Sequence, residues 1–152
     1  MEATSISHIA FCVKEIEKSL AFYRDVLGMK VTFDQVQDTT SGSLPNVYQH
    51  SRQTRRTVHL TFGGNPADPF LVMTTHPNES PDGEPIKLDQ VGISHFSFTV
   101  PDPKALAEDL VAKGVRLAGP IDSWMDAQGN IRSFYVYDPD GILIQFDAGV
   151  GA

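Results

Sequence analysis

The chain has 152 residues, 12 Lys and Arg against 19 Asp and Glu, and a formal net charge of −7. Its length suits one domain, or two small modules sharing a core, and 41% hydrophobic residues is too apolar for a disordered chain. The acidic balance argues against nucleic acid, no apolar run is long enough to span a membrane, and the lone Cys12 excludes an internal disulfide. Met1-Glu2-Ala3-Thr4 has neither the basic start nor the apolar run of a signal peptide, so a cytoplasmic protein acting on a small molecule or another protein is expected.

Ile6-Ser7-His8-Ile9-Ala10-Phe11-Cys12-Val13 opens the chain with strict alternation, the signature of a strand. Ile16, Leu20, Tyr23 and Leu27 then fall on one helical face, and Gly28 stops the helix. Strands are expected over Lys30–Gln37, Arg55–Phe62 and Pro69–Thr75, with a long polar loop over Asp38–Gln53. His76–Gly92, with Pro77, Pro81, Gly83 and Pro85, reads as a connection. The pattern then repeats. Ile93-Ser94-His95-Phe96-Ser97-Phe98-Thr99-Val100 matches the first octet almost residue for residue. A helix follows with Asp102 as N-cap, Pro103 at its first position, and Ala105, Leu106, Leu110 and Val111 as its apolar stripe. Strands are expected over Val115–Ile121, Ile131–Tyr137 and Leu143–Asp147, the last two joined by the turn Asp138-Pro139-Asp140-Gly141. Each half therefore reads β-α-β-β-β: a module over 4–76, a linker over 77–91 and a module over 92–148, forming one domain over residues 1–152.

Alternation also sorts side chains by face. Ile9, Phe11 and Val13 oppose His8, Ala10 and Cys12; Phe96, Phe98 and Val100 oppose His95, Ser97 and Thr99. Val58, Leu60 and Phe62 oppose Thr57, His59 and Thr61; Phe134 and Val136 oppose Ser133, Tyr135 and Tyr137; Ile144 and Phe146 oppose Leu143, Gln145 and Asp147. The second face collects His, Ser, Thr, Tyr and Gln where a washed surface would recruit Lys and Glu. That is the lining of a small-molecule pocket, although small polar residues also occur on wet sheet faces.

With its paired octets, Phe22-Tyr23-Arg24-Asp25-Val26-Leu27-Gly28-Met29 after the first and Asp138-Pro139-Asp140-Gly141 before the last strand, the chain resembles the vicinal oxygen chelate superfamily. That superfamily includes glyoxalase I, extradiol dioxygenases, and fosfomycin and bleomycin resistance proteins. The resemblance implies an α+β fold of two paired β-α-β-β-β modules, a cupped mixed sheet with helices on its outer face, and a homodimer. In metal-using members the first and last strands of each module supply ligands, which carries over to His8, a residue near Val72, His95 and Gln145. A divalent Fe, Zn, Mn or Ni ion would have two imidazoles and one amide but no carboxylate, since Gln145 stands where relatives usually carry Glu. Glyoxalase-type isomerisation, which also wants a carboxylate base, is disfavoured by that set. A bidentate oxygen substrate could supply the missing charge, with the metal as Lewis acid for dioxygenase, lyase or isomerase chemistry. His59 reads as a general base, an extra ligand or a hydrogen-bonded pocket histidine, and Tyr137 as a second proton carrier. Tyr135, Ser97 and Thr61 are candidate substrate contacts, and Arg56, in the cluster Arg52, Arg55, Arg56, is a candidate clamp for an acidic group. Cys12 reads as a small buried thiol, and His50 and His76 as solvated loop residues. The alternative from another class is a metal-free binding protein of the bleomycin-resistance type.

Overall fold

The structure is a computed structural model describing residues 1–149, so the last three residues of the domain expected over 1–152 lie outside the described residues. Contacts divide the chain into two units, Met1–Asp82 and Gly83–Ala152, and the division falls inside the expected linker. Each carries a mixed sheet and one main helix. Among the described residues, no helix is long and apolar enough to cross a membrane.

In the first unit the opening octet forms β1 (His8–Cys12), followed by the short helix α1 (Ile16–Leu20). The helix then widens to π geometry over Ala21–Val26, with Leu27 N–H reaching back to the Phe22 carbonyl at 2.9 Å, and ends at Gly28, whose φ of 81° suits a residue without Cβ. Ile16, Leu20 and Tyr23 are buried as their spacing predicts. The wider turn shifts the face beyond them, so Phe22 is buried as well and Leu27 is only half-buried. β2 (Lys30–Asp38), β3 (Thr54–Thr61) and β4 (Phe70–Thr75) complete a sheet in the order β1-β4-β3-β2. β1 and β4 are parallel and the other pairs antiparallel. Val13, Leu20, Tyr23, Val58, Leu60 and Met73, each at most 1% exposed, form the core between helix and sheet. Phe62, expected to extend this core, lies just past the end of β3 and is exposed.

The second unit starts with β5 (His95–Thr99) and α2 (Pro103–Ala112). Asp102 caps α2, its Oδ1 accepting from Ala105 N–H at 3.0 Å. β6 (Ser133–Tyr137) and β7 (Leu143–Asp147) give the order β5-β7-β6, with β5 and β7 parallel. The strand expected over Val115–Ile121 is reduced to one bridge, Leu117 with Val136. Pairing cannot go further because Gly119 turns at a φ of 101° and Pro120 has no N–H to donate. The stripe of α2 is also corrected: Pro103, Ala107 and Leu110 are buried, whereas Ala105 and Val111 are exposed. Phe134, Val136, Ile144 and Phe146 are at most 2% exposed, with the Phe134 and Phe146 rings stacked at 5.2 Å. Leu143, placed by alternation on the polar face, is buried there, flanked in the ladder by His95 and Tyr137.

The helix register is measurable. Leu110→Ala should cost about 2–5 kcal/mol of unfolding free energy in urea, while Val111→Ala should stay within about 0.5 kcal/mol. Equal losses at the two positions would contradict the observed stripe.

Candidate functional site

Because β1 and β4 run parallel, the polar side of the first sheet is ordered in rows. His8 pairs with Phe70, and Ala10 with Val72, which faces His59, which in turn faces Phe33. The rings form a continuous cluster. His8 and Phe70 lie 5.5 Å apart between centroids, Phe70 and His59 4.9 Å, and His59 stacks on Phe33 at 4.6 Å. Burial pushes the His59 imidazole below its ordinary pKa, and the nearby His8 and Arg55 push it further in the same direction. Ser7 Oγ lies 3.1 Å from His8 Nδ1. Thr61 Oγ accepts from Gly63 N–H at 3.0 Å and, with Thr32, Asn65 and Phe70, borders a shallow pocket of about 250 Å³.

Three readings of this unit are corrected. Arg56 shares a β3 face with Val58 and Leu60, so it points to the helix side, not the polar side. Its Nε and Nη2 grip both oxygens of Asp34 at 2.9 and 2.8 Å, and Nη1 reaches Glu17 on α1. This bidentate clamp joins helix to sheet and leaves the guanidinium no role on the polar face. The arginine on the polar face is Arg55, whose Nε donates to Gln37 Oε1 at 3.0 Å. Cys12 is exposed rather than buried. His76 is buried, with Nδ1 3.0 Å from the Thr54 carbonyl and its ring edge-on to Tyr48 at 5.3 Å, whereas His50 is exposed beside Asp82.

In the second unit, Ser97, Gln145 and Tyr135 form one row of the ladder and Thr99, Asp147 and Ser133 the next. Ser94 Oγ lies 2.8 Å from His95 Nδ1, the same contact that Ser7 makes with His8. Tyr135 Oη stands 3.4 Å from His95 Nε2, with the two rings edge-on at 5.1 Å. Burial raises the Tyr135 phenol above its ordinary pKa, and the Asp147 carboxylate adds to the shift, so the group stays a hydroxyl. Asp147 accepts from Ser97 Oγ and from Gly149 N–H. Gln145 is half-buried, and its side-chain amide has no hydrogen-bond partner among the described residues. Tyr137 carries two cations on its ring: Arg116 Cζ 4.2 Å and Lys87 Nζ 4.6 Å from the centroid.

His8 in the first unit, and His95, Gln145, Ser97, Tyr135 and Tyr137 in the second, thus lie on the polar face of their own sheets, as do His59 and Thr61 in the first. Among the described residues no group of three or more His, Cys, Asp or Glu is arranged to hold a metal ion. Lys87 and Arg116 were not singled out in the sequence. Arg116 carried a signal, since pairing Leu117 with Val136 puts Arg116 beside Tyr137; Lys87, in the connection, carried none.

A family model for the Glyoxalase/Bleomycin resistance protein/Dioxygenase superfamily matches residues 5–146, and the chain belongs to that superfamily. No curated protein sequence matches it significantly. Among solved structures, a glyoxalase family protein from Bacillus cereus is 14% identical with a TM-score of 0.75, covering 98% of this chain and 97% of its own. The trypanothione-dependent glyoxalase I of Leishmania major is 22% identical with a TM-score of 0.66, covering 95% and 86%. The fosfomycin resistance protein FosX from Mesorhizobium loti is 19% identical with a TM-score of 0.59, covering 99% and 95%. At these identities the likeness is one of fold.

The depressed imidazole of His59 has a consequence for stability. The unfolded chain binds its proton at higher pH than the folded one, so stability falls as pH drops through 6.5 toward the lower folded value. An NMR titration should show His59 charging below the ordinary histidine range and His8→Ala moving it back up. An unchanged midpoint in His8→Ala would remove His8 as a cause.

Proposed function

We propose that this superfamily member is a small-molecule enzyme whose substrate presents neighbouring oxygens to a divalent metal, with His8, His95 and Gln145 as the ligand positions. The observation that supports it is the setting of His95 and Gln145. When His95 Nδ1–H donates to Ser94 Oγ, Nε2 is left as the lone-pair nitrogen, with Tyr135 Oη 3.4 Å away as the donor that a metal would displace toward the substrate, and such second partners orient metal-bound histidines. The Ser7–His8 contact repeats the device. Gln145 offers a half-buried amide oxygen that no protein donor occupies among the described residues.

Imidazole and amide donors suit Fe, Zn, Mn or Ni, but all three are neutral, so an anionic substrate completes the charge. When bound, the metal would supply Lewis-acid polarisation of the substrate oxygens. The chain's own groups do the rest. Tyr135, held protonated, donates a hydrogen bond; Ser97 and Thr61 offer hydroxyls to orient the substrate. His59, kept neutral, accepts a proton, with Tyr137 as a second carrier. Dioxygenase, lyase and isomerase chemistry share these needs, and a homodimer in the cytoplasm is part of the same reading.

A metal-free binding protein is the second reading, favoured by Val72, an apolar side chain at the β4 position where a further ligand would stand. Metal analysis of protein purified without chelator and reconstituted with Fe(II), Zn, Mn or Ni separates the two. Close to one ion per chain is expected, lost in His95→Ala while the circular dichroism spectrum stays unchanged. Less than about a tenth of an equivalent after reconstitution would overturn the metal enzyme in favour of the binding protein.

A further inference from the structure

We infer that Lys87 and Arg116, held on the ring of Tyr137, form a binding site for an oxyanion, the carboxylate or phosphate group of the small molecule this protein acts on. The inference deepens the functional reading above and rests on it for the identity of the molecule, though not for the existence of the anion site.

Several cations of this chain are held by acids. Lys18, Arg24, Arg56, Lys104 and Lys113 each pair with a carboxylate. Lys87 and Arg116 have no carboxylate partner among the described residues, although the chain carries 19 acids. Instead both side chains converge on one aromatic ring, with their charged ends 4.6 and 4.2 Å from its centroid. Cation–π attraction is modest at exposed sites such as these, so an acidic group reaching the charged ends gains an interaction that the ring does not replace.

Both side chains are exposed, and their backbone is fixed by structure. The bridge between Leu117 and Val136 buries those two side chains and turns their neighbours Arg116 and Tyr137 to the opposite, polar face, with Tyr137 N–H donating to the Arg116 carbonyl at 2.9 Å. Lys87 opens a turn in which its own N–H donates to Gln90 Oε1 at 2.7 Å and its carbonyl accepts from Gln90 N–H at 3.1 Å. The segment before it is docked on the unit. Pro85 lies against Gly141 in the β6–β7 turn, and Ile86 Cδ1 comes within 2.6 Å of where a Cβ on Gly92 would stand, a position also turned to a φ of 138°.

The site shares a sheet face with the candidate ligands. Tyr137 pairs with Leu143 and Leu143 with His95, so the strand position that carries the cations lies two strands, about 10 Å, from that of His95. A molecule with oxygen donors at one end and an acidic group at the other matches that span. Arginine grips carboxylate or phosphate through paired N–H groups, and lysine adds a point charge.

The test uses ¹⁵N-labelled full-length protein titrated with inorganic phosphate and, separately, with sodium benzoate at fixed ionic strength. Saturable shifts of the Arg116 Nε–H and the Tyr137 amide are expected. Arg116→Gln and Lys87→Gln should each weaken binding at least about threefold, with Arg116→Lys losing less than Arg116→Gln. Tighter binding of phosphate or of benzoate assigns the acidic group. Shifts that grow linearly and spread over the other Lys and Arg residues, or equal affinities in the wild type and both Gln variants, would overturn the site. Metal content is read on the same variants. Normal metal with no anion binding sinks this inference alone, while anion binding with no metal sinks the enzyme reading and leaves the site standing.

Discussion

Parallel pairing of the first and last strand of each unit is the constraint on which the rest depends. A parallel pair cannot be closed by a hairpin; it needs a crossover, and here a helix leads into it. In the first unit that pairing sets His8 beside Phe70 and Ala10 beside Val72; in the second it sets Ser97 beside Gln145 and His95 beside Leu143. The helix covers one side of the sheet and forces that side to be apolar. The other side is then free to carry chemistry, and residues far apart in sequence meet on it only because of the pairing.

Where the periodicity was strong, the amino-acid sequence was a sufficient guide. Two alternating octets, each with a helix behind it, become β1 with α1 and β5 with α2, and the parity of alternation sorts His8, His59, His95 and Gln145 onto polar faces. Its failures have physical causes. The π turn after Leu20 depends on how Phe22 and Tyr23 pack, which spacing alone does not specify. Gly119 and Pro120 mark the end of pairing after Leu117, and their cost to a strand is legible in the residues themselves. Arg56 is a failure of a different kind. The same parity that places His59 on the polar face places Arg56 with Val58 and Leu60, so clustering with Arg52 and Arg55 in sequence does not mean sharing a face. His76 could not be placed from sequence, because the Thr54 carbonyl and Tyr48 that cover it come from other elements.

The electrostatics of the two faces differ in kind. On the helix side and the outer surface, acids and bases cancel locally, as at Arg56 with Asp34 and Lys104 with Glu108. On the polar faces two titratable groups are instead kept neutral. Burial keeps His59 from gaining a proton and Tyr135 from losing one, each reinforced by a like-signed neighbour: His8 and Arg55 for the histidine, Asp147 for the phenol.

Neutrality also decides what such a face can select. A surface lined by imidazole, amide and hydroxyl groups attracts no ion strongly through field alone, so discrimination falls to the few charges left unpaired around it. Asp147 keeps its charge, held by Ser97 and Gly149 N–H, but stands four residues along β7 from Leu143. Arg55 is one such charge on the first sheet; on the second, Lys87 and Arg116 are both positive, and they are held at the ring of Tyr137. An acidic protein with net charge −7 therefore presents a locally cationic edge on its second sheet. Long-range repulsion from the whole chain is screened within about 8–10 Å at ordinary ionic strength, whereas contact with two cations at the ring is not, so the local arrangement and not the net charge governs which ligands are taken.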